Sequence, residues 1–218
     1  MVSETRMEIV VSTFQRPAKT CLLDSHPDLI ELRLDLVEGD LPEYVASWHS
    51  ITRIPLILTL RSVSEGGKFS GSVQEWQEII FPLLPYATYV DIEQGFSACA
   101  GTVRESGVKV VSSFHVNRML SLQEMATTDE RLREFGDIPK IVVAPSDEQD
   151  VIMLLSYTLH IEKPVVTSIM GTKFRHMRPL LPLFGSSWVF AHAGEPTSEG
   201  QYHIRELREI YSLLGRES

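Results

Sequence analysis

The sequence predicts a (β/α)₈ barrel, eight parallel strands each followed by a helix, and three observations carry that expectation. First, eight apolar, β-branched runs recur at intervals that leave room for a helix between most of them. Second, several of these runs turn polar towards their C-terminal ends with a period of two, as strands do when they line the mouth of a barrel. Third, the alternative open doubly wound sheet usually carries a glycine-rich phosphate turn after its first strand. Here that turn, Ser12-Thr13-Phe14-Gln15, has no glycine.

In order, strands are expected at Met7–Thr13, Leu29–Asp35, Pro55–Arg61, Thr88–Glu93, Lys109–His115, Lys140–Ala144, Val165–Met170 and Trp188–Ala193. Helix patterns fill the gaps. In Ser72–Leu84, Trp76, Ile79, Ile80 and Leu83 fall on one face. Ser146–Leu159 opens on Ser146-Asp147-Glu148-Gln149, a cap with an acidic first turn. Ser198–Leu214 places Ile204, Leu207, Ile210 and Tyr211 on one stripe. No linker, repeat or low-complexity tract divides the chain, so residues 1–218 read as one barrel domain.

Composition narrows the function. With 218 residues, 43% of them hydrophobic, the chain can build one substantial core. No run approaches the roughly 18 apolar residues of a membrane span, and residues 1–6 are polar rather than signal-like. Cys21 and Cys99 form no motif and suit a reducing, cytoplasmic compartment. A net charge of −9 disfavours a nucleic-acid partner, but a few arginines can still make a local anion site.

The polar positions are the informative ones. Glu31, Arg33 and Asp35 alternate with Leu32, Leu34 and Leu36, and Thr59 and Arg61 alternate with Leu58 and Leu60. Asp91 and Glu93 alternate with Val90 and Ile92, while Ser113 and His115 close the fifth strand. Private ion pairs on four strands at once would stabilise poorly, so a shared polar cavity explains them better. Lys140 opens an otherwise apolar run, Pro139–Pro145. Desolvation favours its neutral amine, which suits imine formation with a ketone, and His115 on the adjacent strand can handle protons. The bland readings are a strand-edge lysine reaching solvent and isolated internal salt bridges.

In order along the chain stand Glu31-Leu32-Arg33-Leu34-Asp35, Thr59-Leu60-Arg61-Ser62, Asp91-Ile92-Glu93, Ser113-Phe114-His115, Ile138-Pro139-Lys140-Ile141, Met170-Gly171 with Arg178, and Gly200-Gln201. This ordered set closely resembles type I 3-dehydroquinate dehydratase, the Schiff-base lyase of the shikimate pathway. The resemblance spans essentially the whole chain. It implies a (β/α)₈ barrel acting on the small molecule 3-dehydroquinate, with no metal and no organic cofactor. It makes Lys140 the imine-forming lysine, His115 the general acid/base and Glu65 the carboxylate that orients the histidine and favours its imidazolium. Arg178 matches the arginine that binds the substrate carboxylate. Ser12, Glu31, Arg33 and Arg61 match the groups that grip the ring hydroxyls, and Thr197 and Gln201 match residues of a closing loop bracketed by Gly194 and Gly200. Arg33 and Arg61 are also expected beside Lys140, repelling its ammonium form.

This chain departs from the family pattern at Thr197, usually serine, at Val116, where aspartate is common, and at Phe174, usually glycine. The family also implies a homodimer or a fusion to a shikimate dehydrogenase. Two other readings stay open on the residues: a class I aldolase-type barrel, and a non-catalytic barrel that serves as a binding domain. His49, His160 and His192 have no partner at ligand spacing and read as packed or surface histidines.

Overall fold

A computed structural model describes residues 7–17 and 25–216; Cys21 lies outside them. Eight strands run parallel in the order of the chain: β1 (Glu8–Thr13), β2 (Leu29–Arg33), β3 (Leu56–Thr59), β4 (Tyr89–Glu93), β5 (Lys109–His115), β6 (Ile138–Val143), β7 (Val166–Ile169) and β8 (Trp188–His192). Each pairs with its sequence neighbour from β1 to β7, and β8 returns to pair with β1. This is the expected (β/α)₈ barrel, in which every strand that pairs with its predecessor does so in parallel because a crossover brings the chain back.

No ladder joins β7 to β8 among the described residues; a backbone bond from Ser187 N to Val165 O (2.8 Å) closes that seam. Ser186 supports it, its Oγ accepting from Thr167 N at 3.1 Å. A ninth strand, β9 (Tyr202–His203), was not expected. It adds to the free edge of β8 through Ala191 and His192.

The helices are α1 (Leu41–Ile51), α2 (Val73–Ile80), α3 (Ala100–Glu105), α4 (Leu122–Phe135), α5 (Glu148–His160) and α6 (Ile204–Leu213). Local chemistry sets their starts. Ser72 with Glu75 and Ser121 with Glu124 form capping boxes on α2 and α4. Three expected elements shift. Pro82 and Pro85 cannot donate to a helical ladder, so α2 gives way to a 3₁₀ run, Phe81–Tyr86. The cap of α5 is Asp147, which accepts from Asp150 N, rather than Ser146. The last helix begins at Ile204, not Ser198, because residues 198–203 are spent on a loop and β9. Between β7 and β8 the crossover is a 3₁₀ run, Arg175–Phe184, again carrying prolines (Pro179, Pro182).

Strand alternation sorts the core. Outward residues such as Ile9, Leu32, Leu58, Val90 and Val189 pack with Tyr44, Trp48, Trp76, Ile80, Leu207 and Tyr211 of the helices. A second cluster sets Ile141, Val143 and Ile169 against Met125, Leu132, Leu154 and Tyr157. Inside the barrel, Val10, Leu29, Ile57, Val111, Val166 and Trp188 make a dry floor. One inward step further along β1 to β7, towards the C-terminal rim, the residues become polar, whereas on β8 Phe190 follows Trp188.

Candidate active site

A cavity of about 460 Å³ opens at the C-terminal ends of the strands. Ser12, Glu31, Arg33, Arg61, Glu65, His115, Lys140, Arg178, Thr197 and Gln201 all line it, so the structure brings every expected site residue to one place. Lys140, on β6, is 5% exposed. Its Nζ lies 3.0 Å from Asp91 Oδ2, 3.5 Å from Glu31 Oε1 and 4.2 Å from the centre of the Phe190 ring. Its nearest charges are therefore carboxylates. Of the two arginines expected beside it, Arg61 shares Asp91 Oδ2 with the Lys140 amine, whereas Arg33 is turned to Asp35.

Arg61 is the hub of the acids. Its Nη1 reaches Glu93 Oε1 (3.0 Å), Ser113 Oγ (2.9 Å) and Glu65 Oε2 (3.3 Å), and its Nη2 reaches Asp91 Oδ2 (2.9 Å). Burial works against that cation, but Asp91, Glu93 and Glu65 outweigh it and hold Arg61 firmly charged. At Asp91, burial pulls the carboxyl upward, yet Arg61 and Lys140, with the Ser113 hydroxyl, keep it below the usual range. Glu31 accepts from Ser12 Oγ and, at 2.9 Å, from Thr59 Oγ1.

His115 ends β5, and the 3₁₀ turn Val63–Glu65 carries Glu65 beneath it. Glu65 Oε2 lies 2.8 Å from His115 Nδ1 and accepts the His115 backbone N–H at 3.0 Å. With Arg61 also donating to that oxygen, Nδ1 is the ring nitrogen that carries hydrogen, which leaves Nε2 with its lone pair. Burial disfavours charge on both partners. It lifts the Glu65 carboxyl to about 8. It also holds His115 well below the ordinary histidine value, with Arg61, Lys140 and Arg33 adding repulsion. The expected preference for imidazolium is thus reversed: the resting ring is neutral.

Arg33 grips Asp35 through Nε (2.9 Å) and Nη2 (2.8 Å). Asp35 sits in the turn after β2 and accepts from Arg61 N and Lys68 N, so it braces the rim instead of facing the cavity. Arg178 differs from the other arginines. It is 6% exposed, and among the described residues its Nη2 meets only the carbonyls of Glu199 (2.8 Å) and Gly171 (3.4 Å) and its Nε has no partner. Burial lowers it to about 10, with Arg175 adding repulsion.

The loop from Gly194 to Gln201 lies against the cavity, held by Arg33 Nη1 on Thr197 O (3.3 Å) and by Arg178 on Glu199 O. Within it, Thr197 N (2.9 Å) and Thr197 Oγ1 (3.2 Å) donate to Gln201 Oε1. His49, His160 and His192 lie elsewhere: His49 packs edge-on to Tyr86, and the other two pair with the Ser156 and Gly194 carbonyls. Asp91 and Glu93, expected in the shared polar cavity, contact Lys140 and Arg61 and are not part of the cavity lining, and Phe190 lines it without belonging to the polar pattern. Inward parity with Trp188 and His192 was the signal available for Phe190.

Residues 12–218 match the family model described as type I 3-dehydroquinase. A 3-dehydroquinate dehydratase of Methanoregula boonei is 42% identical over 206 residues, covering 94% of this chain and 99% of that protein. A 3-dehydroquinate dehydratase of Methanospirillum hungatei is 36% identical, covering 86% and 73% respectively. Among solved structures, the type I 3-dehydroquinate dehydratase of Clostridium difficile, determined with covalently modified comenic acid, superposes with a TM-score of 0.85. It shows 27% identity, and the match covers 96% of this chain and 92% of that one.

Proposed function

The chain belongs to the type I 3-dehydroquinase family, and on that premise we propose that it dehydrates 3-dehydroquinate to 3-dehydroshikimate through an imine on Lys140. The observation that carries this reading is a buried guanidinium with no carboxylate partner among the described residues, Arg178, lining the same cavity as the Lys140 amine and the Glu65-oriented His115. A buried cation that is short of an anion is a carboxylate receptor in waiting. The substrate supplies a carboxylate, a ketone and hydroxyls, and the cavity offers a counterpart for each.

In this mechanism Lys140 Nζ attacks the ketone carbon, water leaves, and the protonated imine becomes an electron sink. The neutral His115 Nε2 takes the α proton, and the imidazolium so formed returns a proton to the departing hydroxyl, which leaves as water. Glu65 holds Nδ1–H in place through both steps. Glu31, Ser12, Arg33 and Arg61 surround the ring hydroxyls, and Thr197 and Gln201 cover the site from the loop.

Incubating the protein with 3-dehydroquinate and borohydride, then weighing it intact, tests the imine. A mass gain mapped to Lys140, absent from Lys140→Ala along with turnover, is expected. No gain, or a gain on another lysine, overturns the mechanism.

A further inference from the structure

Imine chemistry leaves one question that the residues facing the substrate do not answer: what holds the positive charge on the nitrogen once the imine has formed. An ammonium and a ketone give a protonated imine and one water, with one positive charge on each side. The nitrogen begins with three N–H groups and ends with one, so a single acceptor must serve it. The charge matters, because a neutral imine is a poor electron sink.

Among the described residues two carboxylates approach Nζ. Glu31 lies 3.5 Å away, its oxygens already take Ser12 and Thr59, and it lines the cavity where substrate hydroxyls compete for it. Asp91 lies 3.0 Å away, is 3% exposed, and does not line the cavity. Its position is held from neighbouring strands: Ser113 Oγ donates to Oδ1 at 2.5 Å, and Arg61 Nη2 to Oδ2 at 2.9 Å. Arg61 does not use up its charge, since Glu93 Oε1 lies 3.0 Å from the same guanidinium. Phe190 closes another side of Nζ at 4.2 Å, where a cation is favoured over a neutral amine. Among the described residues the other ionisable groups of this cluster are Glu65, on the same Arg61 guanidinium at 3.3 Å, and His115, paired with Glu65 at 2.8 Å.

We propose that Asp91 is a catalytic residue of this reaction, the counter-ion that keeps the Lys140 imine protonated while the α proton is removed. The proposal rests on the imine reading above. It assigns Asp91 a task distinct from substrate binding: its oxygen touches the reacting nitrogen, and the residue is not part of the cavity lining.

Cyanoborohydride reduces the protonated imine and spares the neutral one, so trapping against pH reads the charge on the nitrogen. Borohydride labelling of wild-type Lys140 comes first; if that fails, the imine reading is wrong and not this inference alone. Given the label, Asp91→Asn is expected to lose trapping at alkaline pH and recover it as pH falls. An opposite charge within about 4–6 Å shifts a titration by about 1–3 pH units, or tenfold or more in trapping at fixed alkaline pH. Asp91→Glu, which keeps the charge, is expected to restore most of the alkaline limb. A loss uniform across pH indicates a merely structural role, and an unmoved profile removes Asp91 from the chemistry; either overturns the proposal. A second measurement needs no variant and decides the matter if Asp91→Asn does not fold. The preformed wild-type adduct is expected to stay reducible to higher pH than the imine of the same ketone with free Nα-acetyl-lysine. Equal limbs overturn the counter-ion.

Discussion

Glu65 Oε2 stands 2.8 Å from Nδ1 of His115 and 3.0 Å from the backbone nitrogen of the same residue. One oxygen thus fixes both the tautomer and the rotation of the ring, from a turn 50 residues earlier in the chain. Both groups are almost enclosed, and neither gains from being charged there.

That pair makes stability depend on pH in a way that can be signed. Glu65 is protonated in the folded state up to about 8, against 4.5 when exposed, so its contribution falls as pH rises through 8. His115 has the opposite sense: its folded value lies below 6.5, so stability rises with pH up to that point. Above 6.5 only the Glu65 effect remains. Between pH 6.5 and 8 the wild type is expected to lose up to about 2 kcal/mol in urea unfolding, at about 1.36 kcal/mol per unit. Glu65→Gln is expected to flatten that slope; an equal slope in the variant contradicts the assignment.

A neutral resting imidazole also places the acid limb of kcat/KM below about 6.5, the free histidine value. His115→Ala should still trap substrate on Lys140, yet eliminate water at least ~10²-fold more slowly. Near wild-type turnover would move proton transfer to another group.

Arg178→Ala removes the cation that lacks a carboxylate partner among the described residues. A charge-assisted contact contributes about 1.5–3 kcal/mol, so KM is expected to rise ~10-fold to 10²-fold. Because the native cation is buried without an anion, the variant should be no less stable than wild type to urea. A large loss of stability with KM unchanged would make Arg178 a structural strut.

Gly200 ties the loop to the β7 side of the mouth. Its φ is +72°, and a Cβ there would stand 2.5 Å from the Gly171 carbonyl oxygen. Gly200→Ala is therefore expected to push the loop outward, slow turnover and expose residues 195–199 to protease, with the barrel's unfolding transition little changed. Gln201→Ala should act in the same direction but more mildly, since it removes only the acceptor for Thr197 N and Oγ1. Protease cleavage that is equal with and without trapped imine would count against a closing loop.

Much of this was written into local sequence. Alternation along Glu31–Asp35, Thr59–Arg61 and Asp91–Glu93 told inside from outside, because successive side chains of a strand must point to opposite faces. Helix starts at Ser72 and Ser121 were readable from capping chemistry, and the parallel barrel followed from strand spacing. What the sequence could not determine is who neighbours whom across the barrel. Period two placed Arg61 and Asp35 on the inner side, yet Asp35 ends as a brace for Arg33 and Arg61 is enclosed by four acidic and hydroxyl partners. The charge state of His115 reversed for the same reason: a titration answers to burial and to the cations Arg61, Lys140 and Arg33, none of which is near it in sequence. Strand order and facing are properties of short runs of residues, set by the backbone's period. Electrostatics at the site are properties of a closed, dry volume, and only the tertiary structure decides what shares it.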